Sequence, residues 1–168
     1  MLALLGDKNL KYIVLIFCLL ISIGCAAKNQ CELFIDKWSK NSSELRIQES
    51  FLDMSLAFNE KYGSVEVILD EIGRSAISES KFEDLIESHS LYLLNQAIVK
   101  KNNKAIRVLL DKRISIYEKN NLMNAPILEF ALNKDEEQLN ILNSYLNKQI
   151  MIKVRYFVQN CKGQLKHY

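Results

Sequence analysis

Along most of this chain, apolar residues recur every three or four positions, the spacing of one buried face of an α-helix. In "NSSELRIQESFLDMSLAFNEKYG", Leu45, Leu52, Leu56 and Ala57 keep that spacing, Ser42 or Ser43 is the candidate N-cap, and Gly63 closes the element. "SVEVILDEIG" reads as a second, shorter helix ending at Gly73, a candidate C′ glycine. Its β-branched residues allow a strand, but the flanking Glu, Asp and Gly argue against one. "SESKFEDLIESHS" is a third helix, with Phe82, Leu85 and Ile86 on one face. "LYLLNQAIVKKNNKAIRVLLDKR" then reads as a helix, a polar break at Lys101 to Asn103, and a further helix. So short a break makes the two helices antiparallel neighbours. "PILEFALNKDEEQLNILNSYLNK" repeats the plan, with a longer turn expected. In the tail, "QIMIKVRYFVQNCKGQLKHY", both a helix and a capping strand fit the pattern. The fold class expected is all-α.

The N-terminal pattern is different. Lys8 and Lys11 precede an apolar run in which Ile13 to Ile23 contains a single polar residue, Ser22. That is the build of a secretory leader, and it is shorter than the roughly 20 apolar residues of a membrane span. The run ends in "SIGC". A small residue before a cysteine resembles the bacterial lipoprotein signal, although Ser22 stands where that family usually has Leu. The resemblance implies cleavage after Gly24 and lipidation of Cys25 by diacylglyceryl transfer and N-acylation. It thus implies a chain held at the cell envelope on its periplasmic side, and Ala26 in place of aspartate favours the outer membrane. The other readings of the run are an ordinary signal peptide cut near Ala27, an uncleaved single-span anchor, and a cytosolic core helix. The expected organisation is a signal peptide over 1–24, a tether and first helix over 25–41, and a helical domain over 42–168.

Composition narrows the function classes. Among 168 residues there are five Gly and one Pro, few for a turn-rich β-sandwich or barrel. A net charge of +2 with no basic stripe gives no case for nucleic acid. The densest basic group, Lys100, Lys101 and Lys104, reads as a solvated helix end. Removing the leader removes Cys18. If Cys25 is lipidated, Cys31 and Cys161 remain as a candidate disulfide, which an oxidising compartment favours; two separate thiols are the alternative. Cys161 and His167 do not have zinc-ligand spacing, and His89 is the other histidine, so no metal is expected.

Leu94, Ala97 and Ile98 find counterparts in Leu128, Ala131 and Leu132, each 34 residues later. With its paired helices this resembles the ankyrin repeat, whose period is about 33 residues. Leu94, Ala97, Ile106, Leu109 and Leu110 match the family's Leu-x-x-Ala helix and the paired leucines of its second helix. The resemblance runs from Leu91 to Lys148 and, with an insertion, extends weakly to Leu52 to Gly73. The family's Thr-Pro-Leu-His opening is absent, and Pro126 lies one residue early. The implied architecture is an ankyrin-like array of antiparallel helix pairs; a generic array of α-helical hairpins is the alternative. The ankyrin-like recognition face would carry Tyr92, Gln96, Val99 and Lys100 in one unit, and Glu129, Phe130, Asn133 and Lys134 in the next. Phe130 is the candidate hot spot; packing against the neighbouring unit is its alternative role.

Catalytic chemistry is not spelled out. His89 sits among Glu87, Ser88 and Ser90, but sequence neighbours on a helix do not face one another. They read as the polar loop before a first helix, with Ser90 as a cap. "KDEEQ", Lys134 to Gln138, opens a helix as its dipole favours and does not spell a calcium loop. No P-loop, dinucleotide or zinc motif is present, so no cofactor is expected. Trp38 suits both helix packing and a membrane interface. The expectation is a non-enzymatic, lipid-anchored protein that binds a protein partner, and its small exported build resembles immunity proteins that neutralise secreted antibacterial effectors. The alternative is an envelope scaffold without a toxin partner.

Overall fold

The computed structural model describes residues 30–40 and 45–161, and these contain helices and no strand. The leader, Cys25, Ser42 and Ser43 lie outside the described residues. Helix α1 covers 30–38. It is followed by α2 (Leu45–Tyr62), α3 (Val65–Gly73), α4 (Glu79–Val99) and α5 (Asn103–Asp111). A long connection leads to α6 (Pro126–Asn133), α7 (Glu136–Asn143) and α8 (Lys148–Asn160).

Short turns fold α2 onto α3, α4 onto α5 and α6 onto α7. The three turns share one chemistry. Gly63, Lys101 and Lys134 each take a positive φ, and each is followed by an N-cap residue: Ser64, Asn102 and Asp135. The Asn102 side chain accepts from Ala105 N at 3.1 Å and the Asp135 side chain from Gln138 N at 3.1 Å, satisfying N–H groups left free at a helix start. The second of these two turns, expected to be longer, is the shorter, because Asp135 caps α7 directly after Lys134.

The pairs stack in two rows. In one row Phe58 and Ser55 of α2 reach Tyr92 of α4, α4 packs on α6, and α6 on α8. In the other, α3 packs on α5 and α5 on α7. Residues 34 apart touch across the stack: Lys100 pairs with Glu66, and Tyr145 Oη donates to Asp111 Oδ1 at 2.6 Å. Lys101 Nζ lies 3.4 Å from Asp135 Oδ2, which carries the same offset. The basic cluster at Lys100 and Lys101 therefore bridges successive units on both sides. Hydrogen bonds from Lys100, then Ser64, hold the Glu66 carboxyl down at about 2.

Leu94, Ala97, Ile106, Leu109 and Leu110 are all buried, as are Leu128 and Ala131. Three other details differ from the sequence expectation, and the choice left open for the tail is decided. The inward face of α2 is the stripe of Phe51, Met54, Phe58 and Tyr62, while Leu52 and Leu56 are exposed. The Ser-His-Ser segment is a kink inside α4, with His89 at φ −137°, and not a loop between two helices. The tail is a helix, α8, capped by Asn147 and burying Met151, Val154 and Phe157 at helical spacing. Gly73 is the last residue of α3, and Ser75 takes the left-handed conformation in its place.

The reason for a glycine at 73 is close approach. A Cβ there would stand 2.9 Å from Lys104 Cβ and 3.1 Å from Ala105 N, at the start of α5. Neither atom is the far end of a flexible side chain. Gly73→Ala is expected to destabilise the fold by about 1–3 kcal/mol, overriding the better helix propensity of alanine. Urea denaturation of the two proteins checks this.

Helix α1 is bound to the array at its far end. Cys31 and Cys161 are disulfide-bonded, with Cα atoms 5.7 Å apart and both residues buried. Phe34 stacks on Phe157 of α8 with ring centroids 4.7 Å apart. Ala125 N donates to Trp38 O at 2.9 Å.

Candidate functional site

The eight positions implied as a recognition face separate into three groups. Tyr92 and Phe130 are buried, Phe130 completely. Their expected place on a binding surface is corrected: α4 and α6 have helices of their own row on both sides, and the large rings fill the space between. Tyr92 meets Phe51, Phe58 and Ser55, and Phe130 belongs to the core.

Lys100 and Asn133 already have partners within the array, Lys100 at its exposed surface. Lys100 is held by Glu66. Asn133 Nδ2 donates to Ile98 O at 2.9 Å and to Gln138 Oε1 at 2.7 Å. The fully buried Gln138 also donates to Ile98 O, at 2.9 Å. The carbonyl served is in the last turn of α4 and also accepts from Lys101 N, at 3.1 Å. Lys134, the left-handed residue of its turn, is exposed.

The third group comes together. Gln96 and Val99 from α4 and Glu129 from α6 line one cleft of about 200 Å³, with Lys40, Phe51, Asn95, Leu122, Met123 and Asn124. Val99 is 56% exposed and supplies an apolar edge. The polar floor is a chain of side-chain bonds. Asn124 Nδ2 donates to Glu129 Oε1 at 2.7 Å, and Asn124 Oδ1 accepts from Lys40 N at 2.8 Å. Asn95 Nδ2 donates to Asn124 O at 2.9 Å. Asn95 is 5% exposed, and its Oδ1 meets no donor among the described residues. An acceptor left without a donor in a buried place is costly, so a native protein retains one where something else meets it.

Burial pushes the Glu129 carboxyl above its ordinary value; the bond from Asn124 and the charge of Lys40 oppose that only in part. The cleft places two acceptors, the Glu129 carboxyl and the Asn95 amide oxygen, beside an apolar rim, with Lys40 also on its lining. It is suited to a donor-bearing, cationic group such as a guanidinium or ammonium. Because the folded chain holds the Glu129 proton to higher pH than the unfolded chain, stability falls as pH rises from the ordinary carboxylate value through the raised one. Glu129→Gln is therefore expected to raise the melting temperature at pH 8 and to leave it unchanged at pH 4. Thermal scans at the two pH values check this.

Sequence reading misses Lys40, Asn95 and Asn124 because they are far apart in the chain and form no motif. Two signals are present. Asn95 is a polar residue on an otherwise apolar helix face, and the 112–125 connection is long for a helical array, the type of loop that commonly carries function. That loop buries Ile116 and Met123, and Ile127 N donates to Ile116 O at 3.0 Å, so it is pinned to the array.

His89 lies at the kink of α4. It packs edge-on against Phe58 and Tyr62, and burial, then the charge of Lys61, lowers its pKa. Among the described residues no three His, Cys, Asp or Glu side chains gather where a metal ion would bind. No described helix is long and apolar enough to cross a membrane.

A second concavity, an apolar groove of about 720 Å³, lies between α1 and α8 at the disulfide-bonded end, with Tyr117 of the 112–125 loop on its wall. In comparisons with known proteins, no family model, no curated protein and no solved structure matches this chain.

Proposed function

We propose that this chain is a non-enzymatic binding protein, tethered through a lipid on Cys25 to the periplasmic side of the cell envelope, that recognises a protein partner with its helical array. The observation that carries the reading is the cleft in which Gln96, Val99 and Glu129, from two successive units, share one polar floor. An ankyrin-like repeat is supported by the recurring turns at Gly63, Lys101 and Lys134 and by the side-chain pairs 34 residues apart. The partner chemistry is a basic side chain entering beside Val99 to meet Glu129 and Asn95. A secreted antibacterial effector is the partner class; this rests on analogy between small exported helical proteins and immunity proteins.

The test co-expresses the full chain with each neighbouring gene product directed to the periplasm. One neighbour is expected to be toxic alone and to be neutralised by the native chain, with the two co-purifying. Val99→Arg, at an exposed position, is expected to abolish both effects without unfolding the chain. If no neighbour is toxic and none co-purifies, the immunity reading fails.

A further inference from the structure

The groove between α1 and α8 has the features of a lipid site. Phe34 and Trp38 line its α1 wall, and Ile152 and Tyr156 line its α8 wall. Leu33 is 66% exposed and Ile152 59%, both high for aliphatic side chains on a protein that has a well-filled core elsewhere. The lining includes two lysines, Lys37 and Lys153, and no acidic residue. Lys37 Nζ lies 4.5 Å above the Trp38 ring, and Tyr117 packs 5.4 Å from the same ring. Apolar walls that carry Trp and Tyr rings and two exposed ammonium groups combine the residue types found at a membrane interface.

Position in the chain selects the occupant. Gln30 is itself a groove residue. Cys25 precedes it by five residues, a span of about 17 Å at full extension. The disulfide between Cys31 and Cys161 fixes α1 against the end of α8, so both walls are held on the tether side. On the tethered reading, a groove so placed lies on the bilayer side. We propose that it takes an acyl chain of an anionic phospholipid, with the lipid phosphate between Lys37 and Lys153, docking this end of the array on the membrane surface. The proposal rests on the tethered reading above.

Trp38 is the only tryptophan of the chain, which makes the test direct. The full chain is reconstituted into vesicles of equal parts phosphatidylcholine and phosphatidylglycerol, with the phosphatidylglycerol brominated on its acyl chains in one of two preparations. Trp38 is expected to lose most of its emission in the brominated vesicles. Leu33→Asp and Ile152→Asp, both at exposed positions, are expected to restore the emission while the protein still sediments with the vesicles. Lys37→Glu combined with Lys153→Glu is expected to restore it in part. Equal emission of the vesicle-bound native chain in both preparations would overturn the docking and leave the tether standing. Quenching that survives both aspartate variants would also overturn it, since proximity to the bilayer would then be enough. A native chain that does not sediment with vesicles sinks the tether and the docking together. A detergent-solubilised dimer that Leu33→Asp dissociates, with no quenching, would assign the groove to a second copy instead.

Discussion

Phe130→Ala is expected to lower the unfolding free energy by about 3–5 kcal/mol, the cost of a large cavity in a packed core. Phe130 is fully buried, in a helix flanked by α4 and α8 of the same row and by its own pair partner α7. The loss would show in urea denaturation as a lower midpoint at nearly unchanged slope. Val99→Arg is the contrast. Val99 is more than half exposed at the edge of the cleft, so its substitution is expected to change stability by less than about 0.5 kcal/mol. If partner binding fails in both variants, only Val99→Arg reports on recognition. A Phe130→Ala protein as stable as the native one would mean that the ring faces outward and that α4, α6 and α8 do not stack in that order.

Removing the disulfide has the second large effect. The bridge between Cys31 and Cys161 closes a sequence separation of 130 residues, nearly the whole helical part. Cys31→Ser with Cys161→Ser is expected to cost about 2–5 kcal/mol, because the unfolded chain regains the freedom the bridge removes. The effect is expected to be local as well as global. Without the bridge, α1 keeps the Phe34–Phe157 stack and the Trp38 and Lys40 backbone bonds to the 112–125 loop. Hydrogen exchange is therefore expected to quicken in α1 and at the end of α8 before it quickens in α4 or α6. Native protein that melts at the same temperature with and without reductant would contradict this.

The array is legible in the sequence where local signals are strong, and less so where tertiary packing decides. The 34-residue echo from Ala97 to Ala131 marks two small residues that are both fully buried. The caps Asn102 and Asp135 follow ordinary helix-start chemistry. Helix α2 carries two apolar stripes, however, and sequence spacing cannot rank them. The aromatic stripe wins because Phe58 and Tyr62 reach His89 and Phe58 also reaches Tyr92, whereas Leu52 and Leu56 are exposed. The polar neighbours of His89 suggest a loop, but with no Gly or Pro the chain bends there and stays helical. Of the candidate site, the repeat position alone points to Gln96, Val99 and Glu129. It misplaces Tyr92 and Phe130, because a repeat position does not reveal which side of a helix its neighbours cover. Asn124 and Lys40 depend on where a long loop and α1 come to rest, which the repeat does not encode.

Whether this helical array works from a lipid anchor at Cys25 is tested most directly by intact-mass analysis of the envelope fraction. The expected species is a chain that begins at Cys25 and carries the mass of a diacylglyceryl group and an N-linked acyl chain. Cys25→Ser is expected to abolish both the cleavage and the added mass. A native chain recovered from the soluble fraction, or one that keeps Met1 and carries no lipid, would contradict the anchor.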